Sequence, residues 1–123
     1  MTGPEKLKEG YKADEMKVRF DLIPADVLWE VAEVMTFGAK KYDDRNYSKG
    51  MKWGRLFGAA MRHLWAFWLR EEADKETGKS HLAHAICCCM MLRELTKTHK
   101  EFDDRPDRPP PDESGQPVRD DGV

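Results

Sequence analysis

Apolar residues recur at every third or fourth position in three stretches of this chain, between about residues 24 and 100. That spacing places side chains on one face of an α-helix, whereas strict alternation of apolar and polar residues would indicate a β-strand. No stretch alternates over a useful length. The sequence therefore predicts an all-α fold with three main helices and no sheet.

The first predicted helix begins at Pro24, whose fixed φ angle suits the first helical turn, and runs to about Phe37. An extension past Gly38 to Tyr42 is left open. One face of this helix is apolar and consists of Val27, Leu28, Val31, Val34 and Met35. Such a face predicts packing against the rest of a helical bundle.

The second predicted helix runs from about Arg55 to Asp74, and the third from about His81 to His99, with Ser80 as the N-cap of the third. An apolar stripe marks the core-facing side of the second helix and consists of Phe57, Met61, Leu64, Trp65 and Trp68. The third helix is apolar almost all round as far as Leu92, so we expect it to be the most buried.

The size of the chain permits one domain with a modest core. It has 123 residues, of which 40% are hydrophobic and 36% are charged. Helical domains of this size often complete their core by pairing with another copy, so we expect a homodimer or homotetramer. The domain is predicted to cover residues 1–102. Residues 103–123 are rich in Asp, Pro, Arg and Gly, and we expect them to be disordered.

The charge balance and the absence of targeting signals indicate which partners and which compartment to expect. The net charge is −2, which argues against broad electrostatic binding to duplex nucleic acid or an anionic membrane. The charged N-terminus lacks the apolar segment of a signal peptide, and the longest apolar run, Leu82 to Leu92, is too short to span a bilayer. Cys87, Cys88 and Cys89 are adjacent and make a poor disulfide framework. We therefore expect a cytoplasmic protein that binds neither membrane nor nucleic acid.

Two pairs of carboxylates, each three residues apart, form the first candidate site. Glu30 and Glu33 share a helical face beside the apolar stripe and can supply oxygen ligands to Mg²⁺. Glu71 continues the apolar stripe of the second helix, and Asp74 follows three residues later. A carboxylate buried in such a stripe is costly unless it is paired or metal-bound. The alternative for both pairs is solvation at the helix surface.

Two histidines are expected at the same level of the bundle. A hairpin of the first two helices would bring Glu71 back towards Glu30, and a turn at Gly78 would bring His81 and His84 alongside. These histidines fit three roles: transition-metal ligands, hydrogen-bond partners of a carboxylate or phosphate, or satisfied core residues. The role of His63 is similarly undecided.

Several cationic, aromatic and amide side chains could bind a phosphorylated ligand beside such a metal site. The candidates for phosphate are Lys17, Arg19, Lys41 and Arg62, and those for the sugar or base are Tyr42 and Asn46. Taken singly, each of these side chains is more simply explained as a solvated surface residue.

Four motifs together resemble a phage family of dATP/dGTP pyrophosphohydrolases. These are MazG-like proteins and include the MazZ type of phages that replace adenine with 2-aminoadenine. The motifs are R-x-D-L-I-P from Arg19, E-V-A-E-V-x-T-F-G-A-x-K-Y-x-x-x-N-Y from Glu30, R-H-L-x-A from Arg62 and E-x-x-D-x-E-T-G-x-x-H-L-A-H-A from Glu71. The resemblance covers about residues 14–95, and the E-T-G-x-x-H-L-A-H-A segment is its specific part.

The resemblance implies a MazG-like helical bundle that hydrolyses (deoxy)nucleoside triphosphates, dATP and dGTP among them, to the monophosphate and pyrophosphate. It also implies a Mg²⁺ cofactor, for which Mn²⁺ could substitute, with ligands from Glu30, Glu33, Glu71 and Asp74. Glu33 or Glu71 would be the base that activates water, and Lys17, Arg19 or Lys41 would hold the departing pyrophosphate. The implied role is phage nucleotide-pool control or synthesis of 2-aminoadenine DNA, and His81 and His84 are substrate-binding candidates.

Two departures from the family pattern concern the acidic pairs. Trp29 stands where many MazG-like enzymes have a second glutamate, and the gap between the two pairs is longer than usual. It is therefore open whether Asp74 or the two histidines complete the metal site. Two other functions remain as alternatives: a di-metal carboxylate bundle, although no Glu-x-x-His occurs, and a non-enzymatic helical interaction protein.

Overall fold

A computed structural model of the chain describes residues 8–108, 111–112 and 114–115. Its three α-helices are α1 (Ala25–Lys41), α2 (Trp53–Trp68) and α3 (His81–Thr98). Short 3₁₀ helices cover Phe20–Leu22, Asn46–Lys49 and Lys100–Phe102. The described residues contain no β-strand, only an isolated bridge between Ala73 and Ser80. The predicted all-α fold of three main helices is confirmed.

The bounds of α1 and α3 agree with the sequence prediction. α1 follows Pro24 and continues past Gly38 to Lys41, so the longer of the two predicted ends is correct. Asp26 in its first turn and the lysines in its last turn complement the helix dipole. α3 is capped by Ser80, whose hydroxyl oxygen accepts a hydrogen bond of 3.1 Å from the backbone N–H of Leu82.

The predicted extension of α2 to Asp74 was wrong, because the helix ends at Trp68. The backbone N–H of Arg70 donates to the carbonyl of Phe67, and that of Glu71 donates to the carbonyl of Ala66. Arg70 has a φ of 76°, so these bonds form a Schellman cap with arginine in the left-handed position. Glu71 and Asp74 therefore lie in the loop after α2 and not on its face.

α3 is the central helix and packs against both other helices, while α1 and α2 make few contacts with each other. The predicted hairpin packing of the first helix against the second was therefore wrong. One core cluster joins Val31 and Val34 of α1 to Ala83 and Cys87 of α3. The other cluster contains Trp53, Leu56 and Leu95. The prediction that the third helix is the most buried is confirmed.

The predicted core stripe of α2 does not face the core of a single chain. Its five residues, Phe57, Met61, Leu64, Trp65 and Trp68, are between 36% and 74% exposed. The face that packs on α3 instead carries Trp53, Leu56 and Ala60. Because α2 is apolar on both faces, periodicity alone could not select the buried one. Val27 and Leu28 of α1 are also exposed.

The first residues after position 102 contact the start of α2. A side-chain oxygen of Asp104 accepts a hydrogen bond of 2.8 Å from the backbone N–H of Gly54, and the guanidinium of Arg105 lies 4.9 Å from the ring centroid of Trp53. Disorder of residues 103–123 stays a prediction, and residues 109, 110, 113 and 116–123 lie outside the described part of the chain. No described helix is both long and apolar enough to cross a membrane.

Candidate functional site

The loop between α2 and α3 is closed by its own hydrogen bonds. The backbone N–H of Asp74 donates to the carbonyl of Lys79 over 2.8 Å, and that of Gly78 donates to the carbonyl of Asp74 over 2.8 Å. Gly78 has a φ of 72°, a conformation that glycine adopts without steric cost. Oδ1 of Asp74 accepts hydrogen bonds from the backbone N–H groups of Glu76 and Thr77. These bonds fix the Asp74 carboxylate at the start of α3.

A chain of three side chains runs from this loop into the bundle. His81, at the start of α3, is only 5% exposed. Its Nε2 lies 2.8 Å from Oε2 of Glu71, and its Nδ1 lies 2.9 Å from Nδ1 of His63 on α2. Both distances are those of hydrogen bonds. The buried imidazole of His81 therefore joins the carboxylate of Glu71 to the imidazole of His63.

His84 completes what we call the histidine cluster, which consists of His63, His81 and His84. Its ring stacks on that of His63 with centroids 4.5 Å apart, and its Nε2 lies 2.7 Å from Oγ1 of Thr77. Burial lowers the pKa of His63, and the neighbouring histidines lower it further. Burial also lowers the pKa of His84, although the charge of Asp74 opposes this. Both rings are therefore neutral at pH 7.

Asp74 stays ionised beside these rings. Burial alone would raise its pKa, but the hydrogen bond from the backbone N–H of Thr77 and the nearby His84 lower it overall. His63, Asp74 and His81 each present one ligand atom, and these atoms all lie within 4.8 Å of one another. Within the part of the chain that the structure describes, this is the one such group of three.

The structure brings together four of the six polar groups expected at one end of the bundle, namely Glu71, Asp74, His81 and His84. Glu33 approaches the same loop through Lys79, whose Nζ lies 2.8 Å from Oε2 of Glu33. Glu30 is half-buried on α1, one turn earlier. Neither glutamate of α1 belongs to the group of three that converges within 4.8 Å.

His63, Thr77 and Lys79 are members of this region that sequence reasoning left undecided or missed. His63 lies three residues after Ala60 and seven after Leu56, on the α2 face that packs against α3. That spacing was a usable signal, but it was outweighed by the larger residues of the other apolar face. Thr77 and Lys79 gave no signal, because their roles depend on how the loop closes.

A cleft of about 940 Å³ opens between the C-terminal half of α1, the 3₁₀ helix Asn46–Lys49 and α2. Cys87 and Met91 of α3 lie at its apolar side. Three of the predicted substrate-binding residues line it, namely Tyr42, Asn46 and Arg62, together with Arg45 and Arg55. Arg45 has a left-handed φ of 54°, a backbone strain that is common at functional sites.

The remaining predicted phosphate-binding residues lie outside the lining of this cleft. Nζ of Lys41 pairs with the carboxylate of Glu76 at 3.0 Å. Lys17 and Arg19 precede α1 and are exposed, and Arg19 pairs with Asp21 at 2.7 Å. The structure therefore divides the eight predicted substrate-binding residues among the cleft, the histidine cluster and three exposed positions on or before α1.

Residues 8–105 match a protein family described as dATP/dGTP diphosphohydrolase, N-terminal. The chain belongs to this family. A protein of Salmonella phage PMBT28 named dATP/dGTP diphosphohydrolase is 35% identical over 96 residues. The aligned region is 78% of this chain but 33% of the phage protein, so the chain spans about a third of that relative's length. No solved structure matches the chain.

Family membership confirms the resemblance that the four motifs carry. The matched range contains α1, α2, α3, the whole loop between α2 and α3, and the 3₁₀ helix that lines the cleft. It ends at Arg105, whose guanidinium lies over Trp53.

Proposed function

We propose that this chain hydrolyses dATP and dGTP between the α and β phosphates, giving the deoxynucleoside monophosphate and pyrophosphate. The observation that carries the proposal is the cleft, in which Arg45, Arg55 and Arg62 line one cavity with Tyr42 and Asn46. Guanidinium groups bind phosphate oxygens in a planar fork, and an aromatic ring and an amide suit a base or sugar. A volume of about 940 Å³ suits one nucleotide.

The cleft suits a nucleotide that carries a bound cation. Asp43 and Asp44 line it beside the arginines, so its walls carry both signs of charge. The two carboxylates would weaken the attraction of the three arginines for a bare triphosphate, and a divalent cation on the phosphates would relieve that repulsion. This charge pattern supports a magnesium-dependent reaction.

Glu30 and Glu33 are the residues that we propose hold Mg²⁺, or Mn²⁺ in its place. Both are half-buried, one turn apart on α1, and offer the carboxylate oxygens that Mg²⁺ prefers. Lys79 balances the charge of Glu33 in the structure and would have to move aside. Glu71 already contacts His81, and Asp74 already accepts a hydrogen bond from the loop backbone. We therefore give these two residues a secondary part as magnesium ligands. Magnesium would supply neutralisation of phosphate charge.

The chain's own residues would then bind and orient the nucleotide and accept a proton from the attacking water. The cleft arginines hold the phosphates, a role that Lys17, Arg19 or Lys41 could share only by leaving their present positions. Glu33 or Glu71 accepts the proton of the attacking water. Glu71 has one feature in its favour, since its contact with His81 at 2.8 Å fixes the carboxylate's orientation.

A product assay tests this proposal. The chain is incubated with each dNTP and Mg²⁺ in ¹⁸O-labelled water. The products are separated and their masses are measured by mass spectrometry. We expect pyrophosphate and a monophosphate, with label in one of the two, from dATP and dGTP in preference to dCTP and dTTP. Orthophosphate or tripolyphosphate would refute the bond specificity. The absence of any product would favour a helical interaction protein.

We also propose that the working form is a homo-oligomer. A groove of about 800 Å³ is lined by Leu64 of α2 and by Leu82, Ile86 and Met90 of α3, each more than a third exposed. Only Leu95 and Cys87 are less than 2% exposed among the large side chains described, so one chain buries little by itself. Two copies of the α2–α3 pair would form a four-helix bundle and cover this surface. Arg93 and Glu94 line the groove and could pair across a two-fold axis.

The cellular role follows from the substrates. A cytoplasmic enzyme that removes dATP and dGTP would control a phage-infected cell's purine nucleotide pool. In a phage that uses 2-aminoadenine, the same activity would keep adenine out of new DNA. The two roles differ in one measurable respect, because the second requires that the triphosphate of 2-aminoadenine be spared relative to dATP.

A further inference from the structure

Two imidazole nitrogens face each other at the centre of the histidine cluster. Nδ1 of His63 and Nδ1 of His81 are 2.9 Å apart, so one proton or one cation must lie between their lone pairs. A carboxylate oxygen of Glu71 accepts the Nε2–H of His81, which leaves the Nδ1 of His81 as a lone pair. The tautomer of this buried ring is therefore set by a carboxylate outside the pair.

We propose that His63 Nδ1, His81 Nδ1 and a carboxylate oxygen of Asp74 bind a divalent transition-metal cation of the Zn²⁺ and Co²⁺ class. Each of the three residues offers one ligand atom, and these three atoms already lie within 4.8 Å of one another. Two imidazoles and one carboxylate suit this class, whereas Mg²⁺ takes oxygen ligands. The site is separate from the carboxylates of Glu30 and Glu33.

The distance between the two Nδ1 atoms requires only a small adjustment. In a tetrahedral zinc site with bonds of about 2.0–2.1 Å, two ligand nitrogens lie roughly 3.3 Å apart. The pair at 2.9 Å would open by about 0.4 Å to admit the cation. The ring of His63 is half-buried and can make that shift, while Asp74 is held by the loop backbone. Three protein ligands leave a fourth position for water or a phosphate oxygen.

The neighbouring side chains match the second shell of a metal site. Glu71 and His81 form the carboxylate–histidine part of a carboxylate–histidine–metal triad. His84 stacks on His63 and is itself held by Thr77, so the ring plane of His63 is restrained. The competing explanation is a purely structural hydrogen-bond chain from Glu71 to His63, in which a proton takes the cation's place.

Titration of the full chain with Co²⁺ separates these two explanations. Protein stripped of metal with EDTA is titrated near neutral pH, and the visible d–d bands and the heat of binding are recorded. We expect one equivalent per chain, with bands typical of nitrogen and oxygen ligands, and displacement by Zn²⁺. His63→Gln and Asp74→Asn should each weaken binding more than about tenfold, and Glu71→Gln about tenfold.

The matched control is His99→Gln, because His99 is the fourth histidine and lies beyond α3, where its ring contacts Phe102. This variant should bind Co²⁺ as the wild type does. His81 is so buried that its replacement can unfold the chain, so His63→Gln with an unchanged helical CD spectrum is the deciding variant. Equal Co²⁺ binding by wild type and His63→Gln, or no binding by either, would overturn the inference.

Failure of this inference and failure of the proposed hydrolase activity can be told apart. Glu30→Gln should abolish nucleotide hydrolysis and keep the Co²⁺ bands, since Glu30 lies outside the group of three. A chain that hydrolyses dATP but shows no histidine-dependent Co²⁺ bands would retain the proposed function and lose the metal site. A chain that shows the bands but does not hydrolyse dATP would retain the metal site and lose the proposed function.

Discussion

Nζ of Lys79 lies 2.8 Å from Oε2 of Glu33 and joins α1 to the loop that precedes α3. Both side chains are more than a third exposed, so the pair stabilises the fold by no more than about 1 kcal/mol. Its larger consequence is electrostatic, because the ammonium occupies one oxygen of a carboxylate proposed to bind Mg²⁺. Any cation at Glu33 must compete with Lys79.

Replacing Lys79 tests that competition. Lys79→Met should lower the Mg²⁺ concentration needed for half-maximal dATP hydrolysis about fivefold, since two unit charges 4 Å apart in water interact by roughly 1 kcal/mol. The control is Lys97→Met, because Lys97 is an exposed lysine in the last turn of α3. An unchanged Mg²⁺ midpoint in Lys79→Met would mean that Glu33 is not a magnesium ligand.

Glu30→Gln should reduce dATP hydrolysis to background without changing the helical CD signal. The amide keeps the shape of the side chain but removes the negative charge that a hard cation needs. Glu101→Gln is the matched control, because Glu101 is an exposed glutamate in the 3₁₀ helix Lys100–Phe102. Product formation by Glu30→Gln at the wild-type rate would remove Glu30 from the site.

The sequence was sufficient to predict α1 and α3, because each has one clear start signal and one dominant pattern. Pro24 precedes α1 and Ser80 caps α3, and both roles depend on local chemistry. The end of α2 could not be predicted in this way. Arg70 adopts a left-handed φ that usually favours glycine, at a cost of about 1–2 kcal/mol, so the stop has no marker in the sequence.

That early stop also explains which parts of the site were missed. With Glu71 and Asp74 in a loop instead of on a helix, their partners are set by backbone bonds between Asp74, Thr77 and Lys79. Such bonds depend on how the loop closes and not on a periodic pattern. His63 could have been found, because it shares a helical face with Leu56 and Ala60, but two apolar faces competed on α2.

Leu64→Glu should reduce the oligomer to single chains. Leu64 is 42% exposed in one chain and lines the apolar groove with Ile86 and Met90, so a buried carboxylate there would lack a partner. The mass in solution is measured by size-exclusion chromatography with light scattering. Met16→Glu is the control, since Met16 is exposed but lies outside the groove. A wild-type chain that is already monomeric would refute the oligomer.

The reactivity of the three adjacent cysteines depends on their position relative to the same apolar groove. Cys87 and Cys88 are buried in one chain, while Cys89 is exposed and lines the groove. Burial raises the pKa of the Cys87 thiol to about 11, and its Sγ lies 3.4 Å from the carbonyl oxygen of Val31 as a donor. At about pH 8 only roughly one part in a thousand of Cys87 is thiolate, the reactive form.

The rate of alkylation with iodoacetamide should therefore show which thiols are covered in the oligomer and in the single chain. In the wild-type oligomer all three cysteines should react slowly, whereas in Leu64→Glu one thiol, that of Cys89, should react quickly. Cys87 remains slow until the chain unfolds, and Leu64→Glu combined with Cys89→Ser should lose the fast phase. The same raised pKa makes the stability of the fold depend on pH. Since folding raises the pKa of Cys87 from 9.0 to about 11, the stability that the neutral thiol contributes is fully present below pH 9.0. That stability is lost as the pH rises through 11. A fast thiol in the wild-type oligomer would place Cys89 outside the interface, and fast labelling of Cys87 would contradict its burial.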